Sequence, residues 1–386
     1  MIKERLKHVD KYIVVPYLLL TVFSIMMVYS ASSYSALNDY GNPHYYLPRQ
    51  IIFVGMSYVL FLVALFFPLK ILKNKKYVMI GILITALSLG FLLLFGREIN
   101  GARGWIETPL FNIQPAEFTK FTVIWYLAYI LSKKQKIIIE NFFKAIVAPI
   151  GLVSLIVLMI YVQPDTGSAF IIVLIGSVMI FASGVSPKLG TGFGLIGVTS
   201  LLGLTQLIKA YGTRLFFLNE NRYRRFQGFW DPFQLAEGAG LQLVNSYYAL
   251  SRGGLFGVGF GNSVQKTGYL PFPYTDFIVA IIGEEFGLLG ITIFLFVFAL
   301  MVSRMILTAI RSKSAFHSIL SIGVAAMFLI QSMVNLMGVV GLMPITGVTF
   351  PFISYGGSSL MVLSVSLGLV ANVSARVNYQ RAQSQL

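Results

Sequence analysis

The chain has 386 residues with 56% hydrophobic and only 11% charged residues, and its mean hydropathy is +0.79. A soluble domain carries about a quarter charged residues, so this chain could not cover its own surface in water and reads as an integral membrane protein. Without cysteine it has no disulfide, thiol nucleophile or Cys-based zinc site, and three scattered histidines (His8, His44, His317) do not make a metal tract.

A spanning helix needs roughly 20 mostly apolar residues. In chain order the segments that meet or approach this are Ile13–Ala31, Ile51–Pro68, Tyr77–Phe95, Ala116–Leu131, Ala145–Val162, Ser168–Ala182, Leu189–Ile208, Phe277–Met301, Ile319–Val340 and Ile353–Val373. The expected fold is all-α: one polytopic membrane domain over 1–386 with about ten transmembrane helices. The segments from Ala116 and Ser168 are short and each follows a polar motif, which predicts that their first turns lie in the protein interior or the interface. The first segment has no small-residue cleavage site and runs into a polar loop, so it is not a cleavable signal.

Most of the 29 lysines and arginines fall on one side if the N-terminus is cytoplasmic. The positive-inside rule then places both termini in the cytoplasm. That makes the net charge of +15 mainly a topology signal and argues against nucleic acid as a partner. Acidic residues show the opposite bias, since only Glu4, Asp10 and Glu140 fall on the cytoplasmic side, so chemistry is expected on the outer face. The long outer segment 209–273 mixes charge (Arg214, Arg222, Arg224, Arg225) with an apolar stretch Leu241–Leu250 and a glycine run from Gly253 to Gly261. This suits short interfacial or re-entrant helices rather than a separate domain. The glycine run lacks the Lys-Ser/Thr ending of a phosphate-binding loop, and neither Gly-x-Ser-x-Gly nor His-Glu-x-x-His occurs.

Ionisable residues within or beside spans are costly and mark functional candidates. In NGARGWI, Arg103 and Trp105 read either as interface anchors or as a guanidinium and an aromatic face for a sugar–phosphate ligand. In QPAEFTK, Glu117 and Lys120 share a helical face and read either as a structural pair or as a phosphate-binding cation with its orienting carboxylate. In QPDTG, Asp165 reads as a helix cap near Ser168 or as a ligand-binding carboxylate. In YLPFPYTDFIVAIIGEE, Glu284 and Glu285 lie deep enough to be protonated or paired with a cation or polar backbone. Asp276 opens the eighth span where water and a membrane-embedded substrate can both reach it; its alternative role is an N-cap.

Taken in order, NGARGWI, QPAEFTK, QPDTG, GLQLVNSYYALSRGGLFGVGFGNS, YLPFPYTDFIVAIIGEEFG and PITGVTFPFISYGGSS resemble the SEDS proteins (shape, elongation, division, sporulation) over nearly the whole chain. The QPAEFTK and RRFQGFWDPF…QKTGYLP stretches resemble the division branch (FtsW) more than the elongation branch (RodA). The resemblance implies a peptidoglycan glycosyltransferase that polymerises lipid II on the outer face of the bacterial cytoplasmic membrane, at the division septum for an FtsW-type protein. It implies a class B penicillin-binding protein as transpeptidase partner, together with other division proteins. The family's essential aspartate falls on Asp276.

A sugar hydroxyl attacking an anomeric carbon needs a base. A diphosphate leaves as an anion, so a second carboxylate of the glycosidase kind is not required, but cations must neutralise it. Candidates are Lys120, Arg103, Arg222, Arg224, Arg225 or a divalent cation (Mg or Mn). Two departures stand out. The family's Pro-Glu-x-His-Thr-Asp is Pro271-Phe272-Pro273-Tyr274-Thr275-Asp276 here, without the Glu and His, and Gly104 stands where many relatives have Arg before the tryptophan. A lipid II flippase and a non-catalytic division scaffold are the rival functions.

Overall fold

The computed structural model describes residues 7–96, 104–108, 112–215 and 218–384. Ten long helices dominate it: α1 Lys11–Tyr40, α2 Tyr46–Phe66, α3 Lys75–Phe95, α4 Pro115–Lys133, α5 Phe142–Val162, α6 Thr166–Phe181, α7 Pro187–Tyr211, α8 Ile278–Arg311, α9 Ala315–Val339 and α10 Gly357–Ser384. Eight of them are long and apolar enough to cross a membrane, and α6 is a shorter apolar helix. In α4, Glu117, Lys120 and Lys133 dilute an otherwise apolar stretch. The protein is a multi-pass membrane protein, and among the described residues the only β pairing is an isolated bridge, Ile106 to Ile113.

Local chemistry sets the helix starts. Side chains of Asp10, Asn74, Asn141 and Asp165 accept backbone N–H groups of the first turns of α1, α3, α5 and α6, satisfying donors that a helix leaves unpaired. Proline occupies the first position of α4 and α7, where its missing N–H costs nothing. α9 and α10 form the centre of the bundle: α10 packs on α2 and α9, while α9 packs on α4, α6 and α8. By contrast α7 buries almost none of its surface. The first turns of α4 and α6 are buried, as their polar lead-in motifs require.

Three differences from the sequence reading bear on the architecture. α1 runs past Ala31 to Tyr40 because Ser32–Asn38 continues the helix beyond the apolar run, where hydropathy carries no helix signal. The last span begins at Gly357, because 340–356 forms an irregular segment. The eighth span is not one helix: at Gly287 (φ 67, ψ −169) it breaks. Four backbone groups at that break find partners in the glycine run. Val258 N donates to Glu284 O (2.9 Å) and Gly259 N to Glu285 O (3.0 Å), while Leu288 N donates to Gly254 O (2.9 Å) and Leu289 N to Leu255 O (3.1 Å). Irregular backbone is tolerated inside a membrane protein only when its polar groups are satisfied in this way. The close approach requires glycine, since a Cβ on Gly253 or Gly257 would collide with the Gly283 or Glu285 carbonyl.

The long segment before α8 holds two helices, Glu220–Trp230 and Leu241–Gly253, and a π-helical turn, Gln265–Tyr269. Leu241–Gly253 packs on α8, as an interfacial or re-entrant element should.

Candidate functional site

Asp276 sits in the short loop between the Gln265–Tyr269 turn and α8. It is not the cap of α8: the cap position is Phe277, with no side-chain cap bond. The main chain of this loop is held from two sides. Asn335 Nδ2 on α9 donates to Asp276 O (2.7 Å) and to Val348 O (2.8 Å), and Tyr355 N donates to Tyr274 O (2.9 Å). Phe272, in the same loop, has φ +54, a left-handed conformation uncommon for a non-glycine residue and often found at functional sites.

The half-buried Asp276 carboxyl accepts the Thr275 hydroxyl at 2.8 Å. Desolvation raises it above the usual carboxylate range, opposed by the Thr275 hydroxyl, its own N–H and the Arg225 guanidinium. A cavity of about 10 Å³ lies beside it, lined among others by Asn335, Thr346 and Val348. That is room for about one water molecule, and the buried Asn335 Oδ1 has no hydrogen-bond partner among the described residues.

The segment 345–350 gathers the motifs. Arg225 Nη1 donates to Thr346 O (3.3 Å), and Gly167 of QPDTG approaches Thr346 O so closely that a Cβ would stand 2.9 Å from it. Gln331, one turn before Asn335 on α9, donates to Thr349 O (3.1 Å) and accepts Lys120 Nζ (3.0 Å). Lys120 also pairs with Glu117 at 2.7 Å, and it is 1% exposed. This buried, partnered ammonium is a brace between α4 and α9, with no face open to a ligand.

Asp165 caps α6 through Ser168 N (2.9 Å) and accepts Gln114 Nε2 (3.2 Å), joining QPDTG to QPAEFTK. Trp105 is half-buried and precedes Ile106, which pairs with Ile113 in an isolated antiparallel bridge, and Ser358 Oγ bonds Asn112 O and Gln114 N at the start of α10. Arg103 lies outside the described residues. Arg222 stacks on Tyr161, 4.2 Å from the ring centroid, and donates to Tyr161 O (2.7 Å). Arg224 makes an exposed contact with Glu220 at 3.4 Å. Of the described candidate cations, Arg225 is the one whose charge acts on Asp276.

The deep carboxylates are paired. Glu284 accepts Ser263 Oγ (2.5 Å), Val264 N (2.9 Å), Gln265 N (3.2 Å) and Arg252 Nη1 (2.9 Å). Glu285 accepts Lys266 Nζ (2.7 Å) and Ser30 Oγ (2.6 Å). Together they anchor the turn from which the Asp276 loop departs. Sequence reasoning missed Lys266, Gln331 and Asn335. Two carboxamides four apart in an apolar span were the available signal; Lys266 gave none, as its partners are remote in sequence.

Among the described residues no three His, Asp or Glu side chains converge to hold a metal ion, and Phe272 and Tyr274 occupy the positions where the family carries Glu and His. One carboxylate is a poor ligand set for Mg or Mn, which would take most of its oxygens from phosphates and water. The residues therefore do not fit a protein-held cation.

The family model described as "Cell cycle protein", covering FtsW, RodA and SpoVE, matches residues 10–379. The chain belongs to this family. Its relatives include the "Probable peptidoglycan glycosyltransferase FtsW" of Bacillus subtilis (strain 168), 40% identical over 98% of this chain and 94% of that protein. Stage V sporulation protein E of the same organism is 36% identical over 96% and 98%. Among solved structures, a chain from work on the coordination of polymerization and crosslinking by a peptidoglycan synthase complex is 26% identical, with TM-score 0.76 over 96% of this chain and 99% of that one. The rod shape determining protein RodA of Thermus thermophilus, at 24% identity and TM-score 0.65 over 96% and 98%, shares the fold. The SEDS resemblance read from the motifs is thus correct, and the chain is FtsW-like.

Proposed function

We propose that this protein is the peptidoglycan glycosyltransferase of a cell-division complex, polymerising lipid II with Asp276 as general base. The observation that carries the assignment of the base is the environment of Asp276: a half-buried carboxylate with a raised pKa, fixed through its backbone and accompanied by Arg225. The carboxylate takes the proton of the attacking sugar hydroxyl as the new bond forms at the anomeric carbon of the donor. The bond to the lipid diphosphate breaks with its electron pair, and the anomeric centre inverts in one step. A raised pKa suits a base that must accept a proton near neutral pH. Arg225 supplies positive charge to the departing diphosphate, while Trp105 and Asp165 shape the sugar side.

The reaction belongs on the outer face of the cytoplasmic membrane, with both termini cytoplasmic and the protein at the septum. A class B penicillin-binding protein is the crosslinking partner, in keeping with the relative from a complex that couples polymerization to crosslinking. A transporter would place its site near the membrane midplane, whereas the polar motifs here collect around the Asp276 loop at one end of the bundle.

The test is glycan-strand formation from labelled lipid II by the purified protein with its penicillin-binding partner, the transpeptidase blocked. Wild type should give polymer and Asp276→Ala none, with the complex intact. Equal polymer from both removes Asp276 from the chemistry. None from either favours a transporter or a scaffold.

A further inference from the structure

We propose that Arg49, mounted on a cluster of tyrosines beside the Asp276 loop, forms an anion subsite for the phosphate groups of a lipid-linked sugar. Arg49 lies in the first turn of α2 and is half-buried. Its guanidinium carbon stands 3.6 Å from the centroid of the Tyr45 ring. That ring stacks on Tyr40 and meets Tyr46 edge-on. Tyr46 in turn shares a hydroxyl–hydroxyl hydrogen bond of 3.0 Å with Tyr274, two residues before Asp276. Tyr355, which holds Tyr274 through the main chain, packs against Tyr46 at 5.0 Å. The aromatic platform therefore runs without interruption from the guanidinium to Tyr274 in the Asp276 loop. Tyr274 is also the residue that replaces the family's histidine.

The electrostatics of Arg49 differ from those of the ion-paired cations. Arg304 pairs with Asp10, Arg252 with Glu284, Lys266 with Glu285 and Lys120 with Glu117. Among the described residues no carboxylate pairs with Arg49, whose hydrogen bond is a long one, Nη1 to Tyr45 O at 3.4 Å. A guanidinium with one face on an aromatic ring keeps its edge N–H groups free for an oxyanion and binds it with two parallel hydrogen bonds. Partial burial strengthens that attraction. Two kinds of lipid carry the matching phosphate: the diphosphate of the polyprenyl-linked substrate, and ordinary phospholipid headgroups met by an arginine at the membrane boundary. The fold favours the first, because Arg49 rests on Tyr45, the first ring of a series that reaches Tyr274 in the Asp276 loop.

The inference deepens the polymerase reading and rests on it for the identity of the substrate. It is tested with the full chain in detergent micelles, comparing undecaprenyl diphosphate with phosphatidylglycerol as probes. Arg49→Gln should weaken undecaprenyl diphosphate binding about ten- to hundredfold, the scale of a lost charge-assisted bidentate contact, and leave phosphatidylglycerol binding unchanged. Arg49→Lys should fall between the two, because it keeps the charge and loses the planar fork. Unchanged diphosphate binding in Arg49→Gln, or equal loss for both lipids, overturns the proposal. If Arg49→Gln does not fold, Arg49→Lys decides: a selective loss of diphosphate binding at an unchanged melting temperature supports the subsite, and wild-type binding refutes it. Selective diphosphate binding by a wild type that makes no polymer would refute the polymerase reading and leave the subsite standing.

Discussion

Replacing Lys266 with methionine isolates the contribution of the buried pair that anchors the Asp276 loop. Lys266 Nζ lies 2.7 Å from Glu285 Oε1 and 2.7 Å from Ser30 Oγ, and neither charged side chain is more than 6% exposed. The variant keeps most of the side-chain volume and removes the charge. Glu285 is then left with the Ser30 hydroxyl on one oxygen, the other oxygen having no hydrogen-bond partner among the described residues. Breaking one side of a buried pair costs about 3–5 kcal/mol, whereas replacing both members by apolar groups is often neutral or stabilising. With about 2 °C per kcal/mol for a chain of this size, Lys266→Met should lower the unfolding temperature in detergent by roughly 6–10 °C. The double variant Lys266→Met/Glu285→Leu should recover most of that loss, a coupling that additive surface effects would not produce. A single variant that melts like wild type, or a double variant that melts below the single one, would refute the reasoning.

Asp276→Asn should trade activity for stability with a definite pH signature. The folded carboxyl titrates above its unfolded value, so its favourable contribution is complete below the unfolded pKa and is lost as pH rises through the folded one. The variant should therefore melt higher than wild type at pH 7 and not at pH 4; a higher melting temperature at pH 4 alone would reverse the sign. Gly253→Ala and Gly257→Ala should give little folded protein, because the added methyl meets backbone carbonyls on α8, while Gly192→Ala on α7 meets open space and should express normally. Equal yields from all three would contradict the close packing.

The all-α, multi-pass fold was legible because some twenty consecutive apolar residues have few fates other than crossing a bilayer. The Asp276 loop was legible from its prolines and its isolated acid before an apolar run. The break at Gly287 was not, since a glycine inside an apolar helix is ordinary and becomes a discontinuity only when another strand of backbone stands ready to receive the freed groups. Lys120 shows the opposite limit. Its spacing from Glu117 predicted the pair, but the pair's closure to ligand depends on Gln331, which is remote in sequence. Arg49 drew no attention in the sequence because an arginine at the start of a span is usually a membrane anchor; its setting emerges only when Tyr274 and Tyr355 fold against Tyr46.

The reciprocal hydrogen bonds between the glycine run and the broken α8 carry a consequence for inheritance of change. Each side supplies the partners that the other needs, so neither can drift in conformation or side-chain size while the other stays fixed. Exchanging the glycine run for that of a relative without its matching α8 start would leave two sets of backbone groups unpaired at the level of the bilayer. In any chimaera between family members the two segments should therefore travel together, as one inherited block.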